Sequence, residues 1–441
     1  MNTITVDCGA SFVKVAKFSD GCIVRIEIYN SPKEREGINE SSSSKLYELV
    51  DILRRILTDM IKDETEVNFA LANEMHGFVL ADSNGNPLTD YISWQKELGG
   101  ILIDSISSVD LLKQNCYNSI INTGMPIRSG LPSSNLLYLK RTGYKFDNFV
   151  FFYTLGGFIE RNLFGINPFE HVSNAAATGL FDLKKNDWSN ELITYIGCEN
   201  IVFPTVSDNC IQTKFNGCKV FVYPAIGDQQ AALLGVGVST ENDLSFNLGT
   251  GCQVSVVTDN IEFGTDYQLR PFFNKKYLKT IPHIPCGRAI NVYKNFVADV
   301  LTKFNVKFSD DQIWDVILDN LSVERNSLKT DLSFFENAIT EKTTGFVSDI
   351  NEQNFLLSDL FSSAICTVAK NCADKIRLLR KDICSDDNFY FSGGFSRKIK
   401  MVRDVILKEL LGDASCSKNC FISNNETLLG LLKFTSLSNN M

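Results

Sequence analysis

The sequence is poor in histidine. His76, His171 and His283 are the only three in 441 residues, and no two stand at metal-ligand spacing. The thirteen cysteines do not fill the gap, because they are scattered with no C-x-x-C pair. A zinc centre built from His or Cys is therefore excluded, and the thiols read as mostly buried and reduced. No apolar run reaches the ~20 residues that span a bilayer. There is no G-x-x-x-x-G-K-[ST], and no G-x-G-x-x-G at a strand-to-helix turn, which disfavours P-loop and Rossmann enzymes. Positive charge is not in excess, and the net charge of −9 gives no basic face for a polyanion. The opening MNTITVDCGA shows neither the basic start nor the apolar core of a secretory leader. These absences lead to the expectation of a cytoplasmic protein with no nucleic-acid or membrane partner.

What is present is a globular composition, 44% hydrophobic and 22% charged, in a chain long enough for two large domains. Ile4, Val6 and Cys8 alternate with Thr3, Thr5 and Asp7, a strand that stops at Gly9. FVKVAKFS and CIVRIEIYN continue as strands around the turn SDG. Leu46, Leu49, Val50, Leu53, Ile56, Leu57, Met60 and Ile61 recur at three and four residues and predict an amphipathic helix, with Ser44 as its cap. VNFALA is the next strand. After about residue 239 the same order begins again. DLSFNL, a Gly249-Thr250-Gly251 turn and CQVSVVTDN form a hairpin, and YLKTIPHI a third strand. Helices are expected near 291–304, 310–321 and 356–379, and the strand NFYFS runs into Gly393-Gly394. The predicted domains are 1–239 and 240–441. Tight glycine turns present consecutive backbone amides to anionic oxygen, and Ser11 and Thr250 add hydroxyl donors. A hairpin of this kind opening each half points to one polyphosphate ligand shared by both, with Asp7 holding a hydrated magnesium ion.

The stretch YPAIGDQQAALLGVGV sets Asp228 before an Ala- and Gly-rich helix suited to close packing. Taken alone, Asp228 is a helix cap or an acid–base group facing a substrate. Trp94-Gln95 is either core or a sugar platform, and His76 either a loop-packing histidine or a sugar contact. Gly393-Gly394 is an ordinary turn or a ligand loop.

Together these segments resemble the FGGY carbohydrate kinases of the actin-like ATPase superfamily. ITVDCGASFVKVAKF is similar to the family's first phosphate loop and ANEMHGFVLADSNGNPLTDYISWQ to its sugar-side loop. TGMPIRSGLPSSNLLYLKRTG and HVSNAAATGLFDLKKNDWS resemble two further family segments. IGDQQAALLGVG looks like the catalytic motif, NLGTG the second phosphate loop and FSGGFSRK the adenosine loop. They come in family order over nearly the whole chain.

The resemblance implies an α/β fold of two ribonuclease-H-like domains with ATP and sugar in the cleft between them. It implies Asp228 as general base, and Asp7 and Asp228 as water-mediated partners of Mg2+. ATP falls to Asp7, Gly9, Ser11, Lys14, Gly249, Thr250, Gly251, Gly393, Gly394 and Lys398. The sugar falls to Met75, His76, Trp94, Gln95, Asp228 and Gln229. The expected reaction is transfer of the γ-phosphoryl group to a hydroxyl of a ketose such as sedoheptulose or xylulose. Glycerol or another polyol is the alternative substrate class, a non-catalytic nucleotide- or sugar-binding protein the alternative function, and a homodimer an assembly left open. The sequence departs from the family at Ala10, where a hydroxyl donor is usual, and at Lys398, where asparagine is common. It departs near the sugar at Lys96 and Leu98, where Asp and Arg are usual, and at Asn135 and Tyr138, read as packing changes. The chain also reads as trimmed between Asp259 and Gly287.

Overall fold

The computed structural model describes residues 1–32, 42–146, 150–325, 327–412, 420–422 and 425–438. They fall into two compact units, Met1–Gly237 with Asn260–Tyr277 and Asn425–Met441, and Val238–Asp259 with Leu278–Asn424. The division at 239/240 expected from sequence is thus corrected: two later segments belong with the first half. The reason lies in packing. Leu269 N donates to Gly124 O at 2.9 Å. A Cβ on Gly124, which has φ +70°, would meet the Leu269 carbonyl oxygen at 2.2 Å. The strand Gln268–Pro271 is therefore seated against a glycine of the TGMP segment.

The first unit is built on a seven-stranded sheet. Its order runs Ile211–Phe215, Cys218–Val222, Glu66–Asn73, Asn2–Cys8, Phe12–Ser19, Cys22–Asn30, with Ile226–Gly227 added beside Glu66–Asn73. Asn2–Cys8 pairs antiparallel with Phe12–Ser19 and parallel with Glu66–Asn73. The helix Ser42–Ile61 covers one face, its Leu46, Leu49, Leu53 and Leu57 packing with Ile4, Val6, Val13, Val67 and Phe69. Ser44 therefore lies inside this helix, not at its cap. On the other face Ala16 and Phe18 pack against Leu428 of the helix Glu426–Ser438. Helices on both faces explain why Thr3 and Thr5, the polar half of the alternation, are as buried as Ile4 and Val6.

The helices Asp228–Val236 and Glu426–Ser438 meet at glycines. A Cβ on Gly235 would lie 1.8 Å from Glu426 O, and one on Gly430 would lie 1.8 Å from Ala231 O. Backbone touches backbone there, which no other side chain permits. Lys433 Nζ then donates to the Leu234 and Gly235 carbonyls at 3.1 and 2.9 Å, satisfying the end of the Asp228 helix from its neighbour.

In the second unit the strands run Tyr277–Pro285, Gly251–Thr258, Asp243–Leu248, Asn388–Ser392, Cys420–Ile422. Asp243–Leu248 pairs antiparallel with Gly251–Thr258 and parallel with Asn388–Ser392, which pairs parallel with Cys420–Ile422. The helices Gly287–Lys303, Asp310–Asp319 and Leu357–Leu379 agree with the apolar spacing. Both sheets share one plan: a three-strand meander, then a strand parallel to its first. That is the ribonuclease-H-like plan.

Candidate active site

The catalytic candidate stands where the strand Ile226–Gly227 becomes a helix. Gly227, with extended backbone, is the N-cap and supplies no side-chain cap; Asp228 is the first helical residue. Its carboxylate accepts from Gln229 N at 2.7 Å and is half-buried. The capping alternative is thereby corrected, since the cap position belongs to a glycine. Burial first, and then the charge of Asp7, pushes the Asp228 carboxyl up to about 6.

The approach to Asp228 is fixed by the segment that carries HVSNAAATG. Ser173 Oγ accepts from Gly227 N at 3.0 Å. Asn174 Nδ2 donates to Asn73 Oδ1 and to the Ala225 carbonyl, both at 2.9 Å. Asn73 ends the strand beside Ile226–Gly227, in register with Gly227. The motif thus ties two strand ends together beneath the helix start. Met75 is buried and packs there too, with its Sδ 2.6 Å from where a Gly227 Cβ would lie.

On the neighbouring strand Asp7 is buried and faces Lys14 across the hairpin, with Nζ 3.8 Å from Oδ2. The turn is closed by Gly9 N donating to Phe12 O at 3.1 Å, and it leaves Ala10 and Ser11 exposed. Asp7 and Asp228 are near enough to oppose each other's charge. No group of three or more metal-ligating side chains exists among the described residues. The two carboxylates, Asp7 and Asp228, would suit Mg2+, a hard ion that prefers oxygen ligands and gives up its waters reluctantly.

The sugar-side loop follows. His76 takes a left-handed backbone, φ +69°, and its Nδ1 lies 2.6 Å from Ala177 O. A Cβ on Gly77 would meet the Tyr91 hydroxyl at 2.0 Å, so Met-His-Gly must end in glycine. Tyr91 donates to Glu74 Oε1 at 3.0 Å. Trp94 is half-buried and Gln95 exposed. Asn135 is wholly buried; it accepts from Gly99 N and donates to Lys96 O, each at 3.0 Å, so it holds the segment after the tryptophan.

Sequence reasoning passed over Arg270, Glu74 and Tyr91, which lie close enough to Asp228 to interact with its charge. Arg270 is only 6% exposed and donates from Nε to Gln268 Oε1 at 2.9 Å and from Nη1 to Gln229 Oε1. A signal was available: a lone arginine inside the apolar stretch QLRPFF implies a buried charge with a purpose.

In the second unit two glycine turns meet. Gly249 N donates to Gly251 O at 3.0 Å, and Gly287 N and Arg288 N donate to the Gly249 and Thr250 carbonyls at 3.2 and 2.7 Å. The helix Gly287–Lys303 thereby anchors the turn from behind, with Thr250 exposed at its tip. Gly393, φ +86°, caps the helix Gly394–Lys398; a Cβ on it would lie 2.2 Å from Leu248 O. The strand ends Asn247 and Ser392 are in register. Lys398 is exposed at the far end of that short helix.

Paired ribonuclease-H-like sheets, each opening on a glycine hairpin, define the actin-like ATPase fold. The model for the FGGY family of carbohydrate kinases, N-terminal domain, matches residues 2–235. The chain belongs to that family. It is 26% identical over 284 residues to a xylulose kinase of Staphylococcus xylosus, an alignment covering 60% of this chain and 56% of that protein. The chain thus spans little more than half the length of that curated relative. Among solved structures, the ligand-bound xylulose kinase of Lactobacillus acidophilus gives a TM-score of 0.80 at 16% identity, covering 100% of this chain and 89% of the other. Plasmodium falciparum glycerol kinase with ADP gives 0.78 at 16% identity, covering 100% and 90%. At that identity the likeness speaks for the fold. No helix among the described residues is long and apolar enough to cross a membrane.

Proposed function

We propose that the chain is an ATP-dependent kinase that moves the γ-phosphoryl group of ATP to a hydroxyl of a small sugar. A ketose such as xylulose or sedoheptulose is the first-choice acceptor, and glycerol or another polyol the second. The observation that carries this reading is the Asp228 carboxylate: it starts a helix without capping it and is poised near 6 by burial and Asp7. Phosphoryl transfer to an alcohol asks the protein for position, charge screening and a proton acceptor. Asp228 takes the hydroxyl proton. Gly9, Ser11 and Lys14 offer amide, hydroxyl and ammonium donors to phosphate. Gly249, Thr250 and Gly251 offer a like set of amide and hydroxyl donors to phosphate, and Gly393, Gly394 and Lys398 form the adenosine loop. Asp7 and Asp228 would hold Mg2+ through water, and the ion would supply charge neutralisation on the phosphates. Met75, His76, Trp94, Gln95 and Gln229 orient the acceptor.

A coupled ADP-release assay over polyols and ketoses of three to seven carbons tests the proposal. Acceptor-dependent ADP release is the expected result; ATP binding without it for every acceptor overturns the kinase reading.

Two substitutions separate the ligands. Thr250→Val keeps volume and loses the hydroxyl, and should weaken nucleotide binding by about 1.5–3 kcal/mol, roughly ten- to a hundredfold, with melting unchanged. Normal nucleotide affinity in that variant makes the turn purely structural. His76→Ala and Trp94→Ala should raise the KM for the acceptor and leave that for ATP nearly alone. A loss of ATP affinity first, in steady-state kinetics with each substrate varied in turn, would mean the loop serves the wrong ligand.

A further inference from the structure

The seven-stranded sheet of the first unit ends on Cys22–Asn30. That strand pairs with Phe12–Ser19 along one edge, and among the described residues no backbone hydrogen bond reaches it from the other. Its aliphatic side chains are open as well. Leu428 of the helix Glu426–Ser438 covers Ala16, but Ile26, beside Ala16 in register, is 39% exposed, and Val24 and Ile28 are each 58% exposed. An unpaired apolar edge is a template for another strand, and proteins that stay monomeric guard theirs. The guard here is partial. The ladder passes over Val24, between Lys17 and Phe18, yet Arg25–Asn30 keeps a regular register. On the opposite face, Arg25 Nη1 lies 2.6 Å from Asp59 Oδ2 of the helix Ser42–Ile61, and Arg25 and Tyr29 both donate to Glu27. We infer that Cys22–Asn30 is a docking edge for a second copy of this chain, the two strands pairing antiparallel about a two-fold axis at Ile26.

The choice of partner and of axis follows from the residues CIVRIEIYN. A two-fold axis through a sheet keeps every side chain on its own face, so only residues of one face can lie opposite each other. Centred on Ile26, the pairing sets Ile26 against its own copy, Val24 against Ile28, Arg25 against Glu27 and Ile23 against Tyr29, each twice. Val24, Ile26 and Ile28 of the two copies then make one continuous aliphatic row. On the other face two opposite-charge pairs cross between the strands, beside the contacts that Arg25 already makes with Glu27 and Asp59. An axis moved to Arg25 sets arginine against arginine, and one moved to Glu27 sets glutamate against glutamate. Like charges directly opposite are destabilising, so both neighbouring registers are rejected. The strand is self-complementary at one register, which commits the edge to a copy of itself.

Sedimentation equilibrium on the full chain tests the pairing. A single strand edge makes a small interface, so the mass of the wild type should rise with concentration from one chain toward two. Arg25→Glu leaves acids at both charged positions of the strand, and Glu27→Arg leaves bases at both. Each variant alone should stay monomeric where the wild type dimerises. An equimolar mixture should form the mixed dimer, in which every opposed pair again has opposite signs; misfolded chains could not recover in this way. Crosslinking reads the register. In a Cys22→Ser background, which removes the exposed thiol of this strand, Ile26→Cys should give a disulfide-linked dimer on mild oxidation, because directly opposed residues lie at disulfide distance. Ile28→Cys, set against Val24, should not. A wild type that is monomeric at every soluble concentration overturns the inference. So does a dimer that both charge variants form alone, or one that Ile28→Cys links and Ile26→Cys does not.

Discussion

Asp228→Asn should yield a folded protein that binds nucleotide and acceptor yet turns over at least about a hundredfold more slowly, the lower end of what a positioned general base contributes. The local geometry makes the substitution clean. The carboxylate oxygen that accepts from Gln229 N has an amide counterpart in asparagine, and the cap at Gly227 is untouched. What is lost is the capacity to take a proton. In wild type, activity should rise as pH climbs through about 6, since the base works ionised and burial with the Asp7 charge holds it there. Stability should follow the opposite sign. A carboxyl whose proton affinity is raised by folding opposes the fold above that range and ceases to do so as pH falls through it. Asp228→Asn should therefore melt no lower than wild type at neutral pH. Melting, ligand-induced shifts and turnover on one preparation decide the matter; near-normal turnover in a well-folded variant would refute the catalytic role.

The second large effect is structural. Gly235→Ala should cost about 3 kcal/mol or more, and lower the melting temperature by on the order of 10 °C, because the clash is with main chain. The added carbon would lie 1.8 Å from Glu426 O and 2.9 Å from Gly430 N. No rotamer relieves that contact, so the two helices must part, and Lys433 loses its hold on the Leu234 and Gly235 carbonyls. Gly394→Ala is a control, because nothing lies within 4 Å of its added carbon. Calorimetry showing equal melting for both variants would contradict the packing described.

The hairpins and long helices were legible because they follow local rules. Alternation gave the strands Asn2–Cys8 and Asp243–Leu248, and three-and-four spacing gave Ser42–Ile61 and Leu357–Leu379. The Ala-Gly stretch after Asp228 correctly indicated close packing, though not against which partner. What local rules cannot carry is assignment across the chain. Residues 260–277 looked like a trimmed region of the second half, yet they belong with the first and bring Arg270 to Gln229. The strand Gln268–Pro271 is too short for a period, and it lies against Gly124, far away in sequence. Glu74 and Tyr91 meet only because the loop folds back over Gly77. Ser44 was misplaced because helices extend beyond the apolar positions that reveal them.

The return of Glu426–Ser438 to the first unit has a consequence for biosynthesis. Phe18 and Ala16 lie on a strand made before the second unit, but Leu428, which covers them, is added only after that unit has been read. During that interval Ala16 and Phe18 lack the leucine that covers them, and apolar surface of this kind is what chaperones occupy and what aggregates when left exposed. The second unit, Val238–Asp259 with Leu278–Asn424, is read in full before the helix Glu426–Ser438. On the ribosome, the first unit is begun before the second and completed after it.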